Sequence, residues 1–385
     1  MRTVVSADWL WNCDQLLANP VLELEDRHIH SITTRSEREL PTHTQQLHYP
    51  GAILAPSFFD VHIHGAAGHD VMEATPNALH AVSRFLASRG TGSFLATTVT
   101  APLDATLRSI EGLAKLLRKS DWHGATPLGI HLEGPFLSHA KRGVHPPEHL
   151  LAPSIPVFDR LYEAAEGNLR LMTLAPELPD AAQFAVHAVA RGVRVSVGHS
   201  NATAAETRKI LHAGATSATH TFNAMRPLDH REPGILGVTL TTDSLFAELI
   251  CDGIHVDPAL VRLWWRMKGR ERGILITDAM AATGMPDGEY RLGDFSVQVA
   301  NGRATANDVL AGSVLTLDKA LVNFLAFTGA TPAEALPLLT QNPAAMTGLG
   351  ARAGSLKVGD PANLVAIAPD GALLASIIAG KPVSR

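Results

Sequence analysis

The stretch Ser57-Phe58-Phe59-Asp60-Val61-His62-Ile63-His64-Gly65 sets two imidazoles at alternate positions of an apolar run. Alternate side chains of an extended strand share a face, so His62 and His64 point one way while Val61 and Ile63 point the other. Two imidazoles side by side suit a divalent metal, and Gly65 marks where the chain must leave the sheet. Later apolar runs end in further groups that can hold a metal: Glu133, His199, His220 and Asp278. Together they make a near-complete metallohydrolase ligand set.

Working outward from this strand, short runs rich in Val, Ile, Leu, Ala and Thr recur, each followed by an amphipathic stretch. The expected strands are Phe58 to His64, Thr91 to Thr100, Pro127 to Glu133, Leu169 to Pro176, Val193 to His199, Ala215 to Thr221, Phe246 to Asp252 and Gly273 to Asp278. Helices fit between them, as at Ala78 to Arg89 and Leu103 to Lys119, with apolar residues three and four apart. A β-then-α alternation of this length predicts an α/β fold, a (β/α)8 TIM barrel over 56–349. A doubly wound open sheet is the alternative. The barrel is preferred because the candidate ligands lie at or near the ends of five different strands, which a closed barrel brings together and an open sheet spreads apart.

The two ends of the chain read differently. Residues 1–55 carry short strands such as Val21 to Leu24 and His28 to Thr33, and 350–385 repeat that character around Gly354, Gly359-Asp360-Pro361 and Asp370-Gly371. They are expected to pair into one small β-sandwich domain. Asp287 to Thr305 reads as a hairpin inserted after the eighth strand, and Pro332 to Thr347 as helical.

At 385 residues with 46% hydrophobic content, the chain can bury a large core. A net charge of −5 offers no basic footprint for nucleic acid or an anionic membrane. No apolar stretch approaches the ~20 residues that span a bilayer, and the N-terminal segment lacks a secretory signal's apolar core. Cys13 and Cys251 stand in segments unlike a disulfide scaffold, so a cytoplasmic location is expected.

Each candidate ligand has an ordinary reading when taken singly. Glu133 closes the run Pro127-Leu128-Gly129-Ile130-His131-Leu132-Glu133, where a carboxylate needs either a metal or a structural arginine. His199, in Val197-Gly198-His199-Ser200, and His220, in Thr219-His220-Thr221, could be hydrogen-bonded core histidines. With Glu133 they supply the three protein ligands of a catalytic zinc site, with a fourth position for water. Asp278, ending Ile274-Leu275-Ile276-Thr277-Asp278, is the candidate general base or else a helix cap. His131 reads either as support beneath the site or as packing, while His123, His139 and His149 sit in polar stretches and read as solvated.

Longer strings now add a resemblance. His131-Leu132-Glu133-Gly134-Pro135-Phe136, Gly198-His199-Ser200, Thr219-His220-Thr221-Phe222-Asn223-Ala224-Met225, Arg231-Glu232-Pro233-Gly234, Asp252-Gly253-Ile254-His255 and Thr277-Asp278-Ala279 run in one order along the chain. The chain resembles the amidohydrolase superfamily and, within it, the N-acetylglucosamine-6-phosphate deacetylases. The resemblance implies hydrolysis of the N-acetyl amide of N-acetyl-D-glucosamine 6-phosphate to D-glucosamine 6-phosphate and acetate. It makes Glu133, His199 and His220 the main metal ligands, Asp278 the acid/base, and His145 a contact near the acetyl carbonyl. Asn223 and Ala224 are then main-chain phosphate donors, His255 a side-chain donor, and Arg231 a contribution from the neighbouring subunit of a homodimer.

His62 and His64 make a second metal site chemically possible, with Glu133 placed to bridge. The donors suit Zn2+, one or two per subunit, and Fe2+, Mn2+ or Co2+ equally in kind. The nearest rival is deacetylation of the 4-epimer, N-acetylgalactosamine 6-phosphate, and a non-catalytic metal-binding barrel is the rival of another class.

Overall fold

The computed structural model of the chain describes residues 2–34, 45–119 and 122–384, so part of the expected N-terminal β segment, 35–44, lies outside the described residues. Eight parallel strands follow one another around a ring: β1 (Phe58–Ile63), β2 (Thr91–Thr98), β3 (Thr126–Glu133), β4 (Leu169–Leu174), β5 (Arg194–Val197), β6 (Ser217–Ala218), β7 (Phe246–Ile250) and β8 (Gly273–Ile276). Just past β8 the ring closes on β1, where Ile63 bridges Ala279 and Asp278 N–H donates to His62 O at 2.9 Å. This closure excludes the open-sheet alternative.

The strands form because their residues are apolar or small and are buried on both faces; every residue of β1 and β2 is buried. Besides His62, Asp60 is the polar exception within β1. Its carboxylate accepts from the Thr277 hydroxyl at 2.6 Å, tying the first strand to the chain just after the eighth, and burial pushes its pKa up to about 7. Helices between strands begin at local caps. Thr75 accepts from Ala78 N–H with Pro76 at the first helical position, and Thr203 with Glu206 closes a capping box. Among the described residues, no helix is long and apolar enough to cross a membrane.

The chain ends meet in one eight-stranded sheet, ordered Lys381–Pro382, Leu373–Ile378, Leu364–Ile367, Gln45–Pro56, Arg2–Trp11, Pro20–Glu25 and His28–Thr34, with Leu16–Ala18 beside Arg2–Trp11. Period-two alternation buries both of its faces. Ala52, Leu54, Leu364 and Ala366 join a cluster of the sheet's own with Val5, Leu22 and Ile29, whereas Ile53, Ala55, Val365 and Ile367 join the barrel core.

Two elements differ from expectation. The insertion after β8 is a four-stranded antiparallel sheet, Gly288–Leu292, Phe295–Ala300, Arg303–Ala306 and Val309–Leu310, longer than the hairpin read at Asp287 to Thr305. Its Leu292, Val297, Val299 and Ala304 pack with Val99 and Met280 over the barrel mouth, an apolar face that a lone hairpin would leave wet. Pro332 to Thr347 divides into Pro332–Ala335, a 3-10 turn at Leu336–Leu339 and Gln341–Thr347. Thr340, at φ −131° and ψ −80°, leaves the helical region between the last two pieces.

Candidate metal centre

The strands were expected to run up to the ligands, and most stop short. β5, β6 and β8 end two residues before His199, His220 and Asp278, which sit just beyond at φ 46°, 26° and 51°. These left-handed positions cost a non-glycine residue roughly 1–3 kcal/mol each, and such strain is typical of sites where geometry is part of the function. Here they swing each side chain off the sheet and over the barrel axis. Glu133 and His62 remain in their strands, and period two alone aims them inward.

Glu133 stands at the centre. Its Oε1 lies 2.9 Å from His220 Nε2, 3.2 Å from His199 Nε2 and 3.4 Å from His62 Nε2. The other oxygen, Oε2, is 3.3 Å from His64 Nε2 and 3.5 Å from His145 Nε2. Asp278 Oδ1 faces His64 Nε2 at 3.0 Å and His62 Nε2 at 3.5 Å. Residues spread over more than two hundred positions therefore converge, and two groups of them, His62, His64 and Asp278 and Glu133, His145 and His199, hold ligand atoms within 4.8 Å of one another.

Neighbouring acceptors assign the tautomers. His62 Nδ1 faces Glu248 Oε2 at 3.2 Å, His64 Nδ1 faces Thr97 O at 3.1 Å, and His199 Nδ1 faces Lys141 O at 2.9 Å. Carbonyl and carboxylate oxygens only accept, so these rings carry Nδ1–H and turn Nε2 inward, the atom left to ligate a metal once it is unprotonated. His145 is the reverse case. Thr100 N–H donates to its Nδ1 at 3.3 Å, and the Thr100 hydroxyl lies 2.8 Å from the same nitrogen, so Nε2 carries the proton. His145 is thus built as a hydrogen-bond donor, although distance alone groups it with Glu133 and His199.

The charges fit this assignment. Burial opposes ionisation of Glu133, yet the surrounding imidazoles, His62 foremost, hold its carboxyl well below the usual range. Asp278 is likewise buried and likewise held low, by His62 and His64. Burial pushes His199 down to about 4, leaving it neutral with a free lone pair. For His64 burial works against the proton, but Asp278 and Glu133 outweigh it and raise the ring to about 9. Binding a divalent cation among these carboxylates would replace such protons, since ligation needs neutral imidazole.

His62 Nε2 supplies the test of fit: it is buried and has no hydrogen-bond partner, with two carboxylate oxygens within 3.5 Å. A buried polar atom so placed is satisfied by a cation. The donor set of imidazole nitrogens and carboxylate oxygens fits a divalent transition metal.

A cavity of about 380 Å³ opens over the cluster and is lined by His64, Glu133, His145, His199, His220 and Asp278. Asn223, Ala224, His255 and Lys141 line one part of it, while Val99, Val144, Leu292, Val309 and Leu310 give it an apolar wall, three of them from the inserted sheet. His255 Nδ1 is bound to Asp252 Oδ2 at 2.6 Å, which leaves Nε2 for a ligand. Of the two main-chain donors expected at 223–224, one is already used: Asn223 N–H donates to His220 O at 3.0 Å. Ala224 N–H has no such bond among the described residues. The turn that aims His220 consumes the first amide and spares the second. Arg231 is exposed and does not line its own chain's cavity.

Sequence reasoning missed Glu248, fully buried in β7 against His62. A carboxylate within Phe246-Ala247-Glu248-Leu249-Ile250 was the same signal that singled out Glu133. His131 lies beneath the site, its Nε2 2.9 Å from Thr173 Oγ1 and its ring edge-on to His62, so it packs and supports.

Residues 53–383 match the Amidohydrolase family model. The chain is 42% identical over 316 residues to an N-acetylgalactosamine-6-phosphate deacetylase of Escherichia coli O157:H7, covering 82% of this chain and 83% of the relative. It is 34% identical over 371 residues to an N-acetylglucosamine-6-phosphate deacetylase of Bacillus subtilis, covering 95% and 93%. Among solved structures, a Mycobacterium smegmatis N-acetyl-D-glucosamine-6-phosphate deacetylase mutant in complex with N-acetyl-D-glucosamine-6-phosphate superposes over both full chains, with a TM-score of 0.92 at 35% identity.

Proposed function

Because the chain belongs to the amidohydrolase family, we propose that it is a metal-dependent deacetylase that hydrolyses the acetamide of N-acetyl-D-glucosamine 6-phosphate to D-glucosamine 6-phosphate and acetate. The observation that carries this reading is the meeting of Glu133, His199 and His220 at 2.9–3.2 Å beneath a cavity that also holds a buried acid and an imidazole donor. The barrel, 56–349, bears all these groups, and the terminal β unit, 1–55 with 350–385, bears none.

Glu133, His199 and His220 would hold the main ion, Zn2+ by our reading, with Fe2+, Mn2+ and Co2+ fitting the same donors; His62, His64 and Asp278 would hold a second. A bound divalent ion supplies Lewis-acid polarisation of the amide carbonyl and lowers the pKa of water from 15.7 toward ~7. Asp278, ionised at neutral pH, takes the proton of the attacking water and passes it to the departing sugar amine. Nε2–H of His145 donates to the oxygen on which charge develops. Far from the scissile bond, His255 Nε2, Ala224 N–H and Arg231 bind the phosphate, so that its binding energy positions the amide.

Arg231 is assigned to the neighbouring site of a homodimer. It is exposed on its own chain, and the large apolar side chains of Leu228, Leu260, Leu263 and Met267 are also left exposed, as a subunit interface requires. Both cysteines are buried and unpaired, which suits the reducing cytoplasm. A second reading, the 4-epimer N-acetylgalactosamine 6-phosphate as substrate, is favoured by the 42% identity to the Escherichia coli relative.

Purified protein should contain divalent metal and release acetate from the glucosamine substrate faster than from its epimer; the reverse order of kcat/KM would establish the second reading, and no release from either would end both. Arg231→Ala should raise KM for the phosphorylated sugar by roughly 10–100-fold, as loss of a charge-assisted pair predicts, with kcat little changed. If phosphorylated and unphosphorylated sugars then still differed as in wild type, Arg231 would not be the anchor.

A further inference from the structure

Glu248 belongs to none of the roles above, yet among the described residues it is the one carboxylate that touches two of the proposed ligands from behind. Its side chain is fully buried in β7. One oxygen, Oε2, meets His62 Nδ1 at 3.2 Å and accepts from the main-chain N–H of His220 at 3.3 Å; the other, Oε1, is buried with no hydrogen-bond partner. The neighbouring backbone reinforces the join, since Thr221 N–H donates to Glu248 O at 2.8 Å. Among the described residues, no lysine or arginine pairs with it.

Packing alone does not call for a charge here. A glutamine of the same length could accept both bonds and would be far cheaper to bury. What the carboxylate adds is a stronger grip on Nδ1–H and more electron density at Nε2, the atom that faces Glu133 and Asp278. The His220 contact serves the same end by fixing a turn at φ 26°, which the backbone would not hold unaided.

We infer that Glu248 is a positioning residue of the metal centre, a carboxylate whose charge locks the His62 ring for tight binding of a divalent ion and whose oxygen also pins the His220 turn. The inference rests on the metal-dependent reading proposed above. It concerns ion affinity, so it can be tested without substrate.

The test is titration of chelator-stripped, full-length protein with Zn2+ against a competing chromophoric chelator, with Tm measured on the stripped protein. Glu248→Gln should weaken Zn2+ binding roughly 10–100-fold, the usual cost of losing a ligand's outer partner, while the stripped protein melts at or above the wild-type temperature. In a His62→Asn background the same substitution should change affinity less than about twofold, because glutamine still accepts from His220 N–H and the lost charge acts through His62. Should the glutamine variant fail to fold, Glu248→Asp, which keeps the charge but shortens the reach, is read by the same criteria.

Unchanged affinity in a folded variant would overturn the inference. So would an equal loss in the His62→Asn background, or a lowered Tm of the stripped protein, either of which would make Glu248 merely structural. A wild-type chain that takes up no Zn2+ and none of the other ions would instead sink the metal-dependent reading itself.

Discussion

Asp278→Asn should lower turnover by roughly 10²–10⁴-fold, the range for removing a positioned acid/base, while leaving in place the ion proposed at Glu133, His199 and His220. Asparagine fits the same space, and its side-chain oxygen can still face His64 Nε2, 3.0 Å from Asp278 Oδ1 in the wild-type site. What it cannot do is take a proton from water and return it to a leaving amine. The measurement is kcat by acetate release, alongside metal content per chain. Turnover within a few-fold of wild type would remove Asp278 from the chemistry. Lost turnover that returned with excess metal would recast it as a ligand only.

Glu133→Gln is expected to abolish both metal binding and activity, because one side chain here touches five imidazoles. Glutamine keeps one oxygen but puts an NH2 group where the other stood, so on either the His199 and His220 side or the His64 side a carboxylate oxygen able to ligate a metal gives way to a group with no lone pair to offer. The negative charge that holds those rings together also disappears. The effect on affinity should exceed the ~10–100-fold attached to outer partners. Saturating metal at about 100 Kd stabilises a folded protein by about 2.7 kcal/mol, so wild type should show an upward Tm shift on metal addition that the variant lacks. A variant with wild-type metal content would mean that Glu133 is not a ligand, and the central assignment would fail.

Much of the site was legible before the fold was known, for identifiable reasons. His62 and Glu133 lie within strands, and there the period-two rule decides which way a side chain points. His199, His220 and Asp278 were found by their chemistry at the ends of apolar runs, although their inward aim comes from left-handed turns that strand periodicity does not contain. The inserted segment was read too short because its pairing depends on Val99 and Met280, which belong to the barrel. Glu248 stood in an apolar run like Glu133 and was passed over, since its meaning lies in a partner 186 positions away.

By itself, the sequence determined that eight βα units follow one another and that histidines and acids stand at the strand ends. These are local facts, carried by backbone geometry and by the cost of burying a charge. Only the tertiary structure decided which nitrogen each histidine turns inward, that Asn223 N–H is spent on His220 O, and that Nδ1 of His145 accepts while Nδ1 of His62, His64 and His199 donates. A tautomer is set by whichever group lies about 3 Å from Nδ1. In a closed barrel that group comes from another strand, so no stretch of chain around the histidine contains the answer.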